Sequence, residues 1–201
     1  TLKVGKSNDF PPSTATTNFS APLINYPGRN VAIIDEDTID LGAATVSGTY
    51  DVTATTGGIT DSGTQEIAGV TTLAAGSSND ITLNTSTNNF VAAVGITSGR
   101  NVAITDEDAI VLGASTVSGT YGITAGGAIT ESGDLSITGI TTLAAGSGNN
   151  ITLNRAGNNF QAAVKITSGA NVTLVDAGAI DLGASTVSGT YAVTATSGGG
   201  I

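Results

Sequence analysis

The sequence predicts an all-β solenoid of the parallel β-helix type, on three observations: a long internal repeat, strand-like alternation throughout, and a lack of helical patterning. NVAIIDEDTIDLGAATVSGTY begins at Asn30, NVAITDEDAIVLGASTVSGTY at Asn101 and NVTLVDAGAIDLGASTVSGTY at Asn171, so the spacings are 71 and 70 residues. A second marker, TTLAAGSSNDITLN from Thr71, returns as TTLAAGSGNNITLN from Thr141. A fixed period of this size is the mark of a solenoid, propeller or array. Gly, Thr, Ser, Asn and β-branched residues dominate, and no stretch keeps apolar residues at helical spacing.

The elements follow from the alternation. In TVSGTYAVTAT, Val187, Gly189, Tyr191, Val193 and Ala195 share one parity, and Thr186, Ser188, Thr190, Ala192 and Thr194 the other. The same pattern places Val117, Gly119, Tyr121 and Ile123 inward in the second copy, and Val46, Gly48, Tyr50 and Val52 in the first. Period two with one apolar side describes a half-buried strand. Residues 30–50 and 80–100 form 21-residue units, 51–79 lies between them, and each unit opens on an Asx before an alternating strand. Three short strands per turn of about twenty residues describe a β-helix coil, with about three coils per 70-residue repeat. A propeller blade needs four antiparallel strands and tight hairpins, and the hairpin dipeptides Asn-Gly and Asp-Gly are absent.

The organisation predicted is one solenoid over 1–201: a divergent partial copy (1–29), two full copies (30–100 and 101–170) and a partial third (171–201). TLKVGKSNDF from Thr1 aligns with TLAAGSSNDI from Thr72, and all four prolines (Pro11, Pro12, Pro22 and Pro27) fall in that divergent copy. Each removes a backbone donor, which makes this segment the poorest expected sheet-former. At the other end SGGGI breaks off inside a coil, and two explanations stand open: a longer parent chain, or end-to-end stacking into a filament.

Composition removes much chemistry. The chain has no Cys, His, Met or Trp, which excludes disulfides, zinc–thiolate centres, His-ligated metals and Cys or Ser–His nucleophiles. Sixteen acids against six bases give a formal charge of −10, which opposes nucleic-acid binding. No apolar run approaches the roughly 20 residues of a membrane-spanning helix, so no membrane insertion is expected.

The motifs LGASTVSGTY, TTLAAGSGNNITLN, GAITESG and NNFQAAVKITSG resemble the repeats of filamentous-haemagglutinin-like exoproteins, the large secreted adhesins of Gram-negative bacteria. The resemblance covers essentially the whole chain. It implies a right-handed parallel β-helix serving as the shaft of an extracellular or cell-surface fibre. The partners it implies are neighbouring coils of a longer chain, other copies in a fibre, or a surface glycan or protein. It carries over no residue-level binding site.

Candidate sites are few. Asp35, Glu36 and Asp37 recur as Asp106, Glu107 and Asp108, and shrink to Asp176, Ala177 and Gly178. Clustered carboxylates suit calcium, yet Asp also favours solvated turns that block lateral aggregation. Whether Asp35/Asp37 and Asp106/Asp108 bind calcium stays open, and no metal ligand, cofactor site or catalytic residue is assigned. Phe19, Phe90 and Phe160 share one repeat position and Tyr50, Tyr121 and Tyr191 another; parity makes them core plugs in preference to a carbohydrate-stacking track. The rows Thr45/Ser47/Thr49, Thr116/Ser118/Thr120 and Thr186/Ser188/Thr190 raise an ice-templating reading, but the motif does not return in every coil. Asp40 and Asp181 evoke polysaccharide-cleaving β-helices, but Val111 takes their place in the second copy, so no enzyme is expected. The function expected is a stiff structural shaft for adhesion or surface assembly. The alternatives are a lateral glycan- or protein-binding module, or a self-polymerising filament subunit.

Overall fold

Alternation of β-branched and small polar residues gives short strands that bury every second side chain, and a strand buried on one face must find neighbours. In the computed structural model, which describes residues 22–196, they find them in the preceding and following turns of the chain. All pairs between named strands are parallel, and they form two sheets of 11 and 10 strands that face one another. The described residues contain no helix. The fold is a β-solenoid of about eight coils.

The chain crosses from one sheet to the other at each corner. Sheet 1 takes Val31–Asp35, Tyr50–Ala54, Thr71–Ala74, Val94–Gly99, Ile110–Val117, then the pairs Ile129–Glu131 with Leu135–Ile137 and Ile151–Leu153 with Asn159–Phe160, and lastly Val172–Asp176 and Tyr191–Ala195. Sheet 2 takes Leu23–Gly28, Ile39–Val46, then Ile59–Asp61 with Gln65–Ile67 and Ile81–Leu83 with Asn89–Phe90, and above them Val102–Asp106, Tyr121–Ala125, Thr141–Ala144 and Val164–Ser168. Paired residues in successive coils are separated by 18 (Val94 against Leu112) to 24 positions (Ala74 against Ser98).

This register sharpens the expectation of about three coils per repeat. Val31 lies in sheet 1, its counterpart Val102 in sheet 2, and Val172 in sheet 1 again. One repeat therefore winds seven half-coils, or three and a half coils. Successive copies present the same surface on opposite sides of the rod, raised by about 17 Å at 4.8 Å per coil.

The core is a stack of inward-facing side chains held in register from coil to coil. Val31, Tyr50, Thr71 and Val94 succeed one another in register, as do Tyr121, Thr141 and Val164. Tyr50, Tyr121, Phe90 and Phe160 are all buried, as parity requires, while Tyr191, with no described coil above it, is half-buried. Phe19 lies outside the described residues. One expectation needs correction. TVSGTY is not a single strand: Val46 closes a strand of sheet 2, the chain turns at Ser47–Thr49, and Tyr50 opens a strand of sheet 1. Gly48, read as inward, sits on this corner with the Arg29 carbonyl of the coil below pressed against it. Of the divergent copy, Leu23–Gly28, which contains Pro27, forms a strand that pairs with Ile39–Val46. Pro11, Pro12 and the C-terminal SGGGI lie outside the described residues.

Corners recur with the same chemistry. Gly76 (φ 77°) and Gly146 (φ 76°) take the left-handed conformation open to glycine. Asn79 and Asn149 then donate through Nδ2 to the carbonyls of Ala75 and Ala145, at 2.8 and 2.7 Å.

Where two copies differ inside the core, the differences compensate. Gln65 is fully buried, and its Nε2 donates to the carbonyls of Gly42 (2.7 Å) and Gly63 (2.8 Å). In the next copy that position is Leu135, and the donor moves to the paired strand, where Ser115 in place of Ala44 donates to the Gly113 carbonyl at 3.0 Å. Gln65→Leu alone strips a buried carbonyl of its donor and should cost about 1–3 kcal/mol. Adding Ala44→Ser should recover about 1 kcal/mol of that, read as a coupling in a denaturant double-mutant cycle. Strict additivity would show that the two sites do not exchange a donor.

Candidate functional site

The acidic corners divide into one buried residue and two exposed ones. Asp35, Asp106 and Asp176 are at most 2% exposed, while Glu36, Asp37, Glu107 and Asp108 stand in solvent. The turn is solvated only in its second and third positions. Asp106 accepts from its own turn, the Asp108 N–H at 2.9 Å on Oδ1, and from the coil below, the Phe90 N–H at 2.9 Å on Oδ2. Asp176 takes the equivalent N–H groups of Gly178 and Phe160, both on Oδ1 at 3.3 Å, and Asp35 accepts from the Asp37 N–H at 3.2 Å. In the second and third copies the first acid is thus a clasp that satisfies a buried donor of the coil below. That is why the third copy keeps Asp176 while losing both other acids.

The corners do not combine into one site. Asp35 ends a strand of sheet 1 and Asp106 a strand of sheet 2, so the half-coil phase puts them on opposite sides of the rod. Among the described residues, no group of three or more acids is placed to share a metal ion. With both Asp106 oxygens engaged by backbone donors, added calcium or chelator should leave the melting temperature unchanged. A calcium-dependent rise lost in Asp108→Asn would contradict this.

Burial holds the Asp106 carboxyl above its ordinary pKa, despite the opposing Phe90 and Asp108 N–H bonds. Glu131 is raised for the same reason, burial outweighing its bonds to the Arg155 N–H and Asn158. Both groups bind their proton more tightly folded than unfolded, so their contribution is complete below about pH 4 and is lost as pH rises through the folded values. Exposed Asp80 has the opposite sign: the Arg100 guanidinium beside it lowers it to about 2, and its contribution is lost only in strong acid. The melting temperature should therefore be higher at about pH 4.5 than at pH 7, helped by relief of the −10 charge. A lower value at pH 4.5 would show that ionised acids stabilise the rod.

Along one edge runs an Asx ladder. Asp80 Oδ1 accepts from the Asn101 N–H (3.1 Å) and Nδ2 (3.0 Å), and Asn101 Oδ1 in turn accepts from the Thr120 N–H at 3.1 Å. Asn150, Asn171 and Thr190 repeat the chain of contacts 70 residues on. Arg100 closes a bidentate pair on Asp80 at 2.8 and 2.9 Å. The exposed hydroxyls serve the rod too. Ser118 and Ser188 donate to the carbonyls of Ser77 and Ser147, at 2.6 and 2.7 Å, each 41 residues earlier. The rows at Thr45 and Thr116 face opposite sides, so they build no common plane.

Asp40 is half-buried in sheet 2, its counterpart Val111 lies in sheet 1, and Asp181 is exposed. The structure thus separates these acids. The sequence reading missed Asn88 and Asn158, both fully buried, which accept the Gln65 and Leu135 N–H groups at 2.9 Å. The available signal was an Asn held in front of Phe90 and Phe160.

A family model described as repeats of unknown function, DUF5649, matches residues 28–97, 99–167 and 169–201. The chain belongs to this family. Searches among curated proteins and among solved structures returned no match. The DUF5649 matches begin within two residues of the copies that open at Asn30, Asn101 and Asn171. In this chain one DUF5649 repeat is seven half-coils, and Asx residues retained between copies, among them Asp106/Asp176, Asn88/Asn158 and Asn101/Asn171, bond one coil to the next. A repeat β-solenoid built this way fits a structural role.

Proposed function

We propose that this chain is a shaft segment of a secreted bacterial adhesin or extracellular fibre, a stiff rod that holds a binding tip or a fibre lattice away from the cell. The observation that carries this reading is the pair of parallel ladders, Val31–Asp35 to Tyr191–Ala195 in sheet 1 and Leu23–Gly28 to Val164–Ser168 in sheet 2, with a continuous core between them. Its eight or so coils span roughly 40 Å, with backbone hydrogen bonds directed along the axis. Bending such a rod means stretching a ladder on one face and compressing side chains on the other. The resemblance of LGASTVSGTY and TTLAAGSGNNITLN to filamentous-haemagglutinin-like repeats supports placing the rod at the cell surface. In this reading the chain has no catalytic role, since its acids are clasps, ion-pair partners or scattered surface groups.

Immunogold labelling of intact producing cells tests the location, and a glycan array tests the role. Label along surface filaments, with no selective glycan binding by the purified chain, is the expected result. Label confined to the cytosol would overturn the secreted-fibre reading, and selective binding would replace the shaft with a lateral recognition module.

A further inference from the structure

Four positions in the sequence open an Asn-x-Ser/Thr triplet, the acceptor pattern for N-linked sugar: Asn18, Asn84, Asn150 and Asn171. Asn18 lies outside the described residues, and the fold separates the other three. Asn150-Ile151-Thr152 and Asn171-Val172-Thr173 run straight into strands, and their middle residues, Ile151 and Val172, are fully buried in the core. Their asparagines also bond each other, Asn171 Nδ2 donating to Asn150 Oδ1 at 3.0 Å. An enzyme could reach either triplet only by lifting a strand from its sheet.

Asn84-Thr85-Ser86 is different. It lies on the turn between Ile81–Leu83 and Asn89–Phe90, and none of its residues belongs to a strand. Asn84 and Ser86 are exposed, and neither side chain has a hydrogen bond among the described residues. The turn beneath them is nonetheless fixed. Asp61 of the coil below accepts from the Asn84 N–H at 3.0 Å, the Thr85 N–H at 3.2 Å and Asn88 Nδ2 at 2.6 Å. The backbone is thus held while the amide and the hydroxyl two residues on stand in solvent. In the next copy the same turn reads Asn154-Arg155-Ala156, and the acceptor hydroxyl is gone. Arg155 there closes an ion pair on Asp134 at 2.6 Å.

We propose that Asn84 is a glycosylation site, carrying a sugar in N-linkage to Nδ2. The donor is a sugar activated as a glycosyl diphosphate, delivered by a transferase of the producing cell. The bond from Nδ2 to the sugar C1 forms as the bond from C1 to the diphosphate oxygen breaks. The diphosphate leaves with the electron pair, and Nδ2 gives up one proton. Ser86 supplies the hydroxyl that the acceptor pattern requires. The half-coil phase places Asn84 in a turn of sheet 2 and its counterpart Asn154 in a turn of sheet 1, so the sugar marks one side of the rod. A bulky, hydrated group there shields that side from lateral contact. This goes beyond the shaft reading and stands whether or not the rod belongs to an adhesin.

Mass spectrometry of the chain isolated from its producing cells tests the site, with fragmentation that leaves the sugar attached. The expected result is one sugar-bearing peptide, modified at Asn84. A single sugar marks a nucleotide-linked donor and a preassembled oligosaccharide a lipid-linked one, and either supports the assignment. Asn84→Gln and Ser86→Ala should each abolish the modification, and Ser86→Thr should retain it. Neither side chain bonds to the rod, so all three variants should keep the wild-type circular dichroism spectrum. That readout separates loss of the acceptor from loss of the fold. A chain with no sugar, a sugar at Asn150 or Asn171 instead, or a sugar that survives Asn84→Gln on the Thr85, Ser86 or Thr87 hydroxyl would each overturn the proposal.

Discussion

Tyr121→Ala should destabilise the rod by about 3–5 kcal/mol, the range of large-to-small changes at aromatic core positions. The ring is fully buried, and its residue pairs in register with Val102 below and Thr141 above. Truncation leaves a void between two sheets whose spacing is fixed by the coils on either side, so collapse is limited and the cavity cost is kept. Thr120→Ala, one residue earlier, should cost about 0.5 kcal/mol or less. Thr120 is exposed, and its backbone N–H keeps the Asn101 Oδ1 bond in the alanine variant. Because each coil contacts only its neighbours, the loss should be local. Hydrogen exchange should rise in Val102–Asp106 and Thr141–Ala144 before it rises in Val31–Asp35. Equal costs for the two substitutions would reverse the assignment of strand faces.

That prediction was legible in the sequence, because side-chain direction in a strand depends only on parity. Val46, Tyr50, Val52, Val117, Tyr121 and Ile123 face inward as read, and Thr45, Thr49, Thr116 and Thr120 face outward. The half-coil phase was not legible. Self-similarity measures how far apart equivalent residues lie along the chain, and a 70-residue period fits three coils or three and a half equally well until the register is known. The register is set by corners of unequal length, such as Ser47–Thr49 against Ala75–Asp80, and nothing in one copy states which corner stacks on which. The clasping acids were hidden for a related reason. A run such as Asp35-Glu36-Asp37 looks solvated because its charge dominates, whereas the burial of Asp106 follows from a donor, the Phe90 N–H, that a different coil delivers. Residues that act within one strand could be read directly; those that join coils needed the coils.

Gly139→Ala should be nearly as damaging as many core truncations, at about 3 kcal/mol, although it adds one methyl group near the surface. Gly139 donates its N–H to the Gly119 carbonyl at 2.9 Å, and Gly119 donates to the Arg100 carbonyl at 2.8 Å, so three coils meet at this corner. A Cβ on Gly139 would fall on the Gly119 carbonyl oxygen and stand 2.9 Å from the Thr120 nitrogen. These obstacles are backbone atoms held by ladders above and below, and no side chain can rotate to make room. Gly69 faces Gly48 in the same way in the first copy, so the close approach belongs to the winding itself. The control is Gly148→Ala. Nothing lies within 4 Å of a Cβ built there, and the equivalent position in the previous copy is already Ser78. It should be neutral or stabilise by about 0.4–1 kcal/mol, by removing freedom from the unfolded chain. Urea midpoints at unchanged slope measure both substitutions. If Gly139→Ala proved as mild as Gly148→Ala, the corner would have slack, and coil stacking would not set the glycine pattern of the repeat.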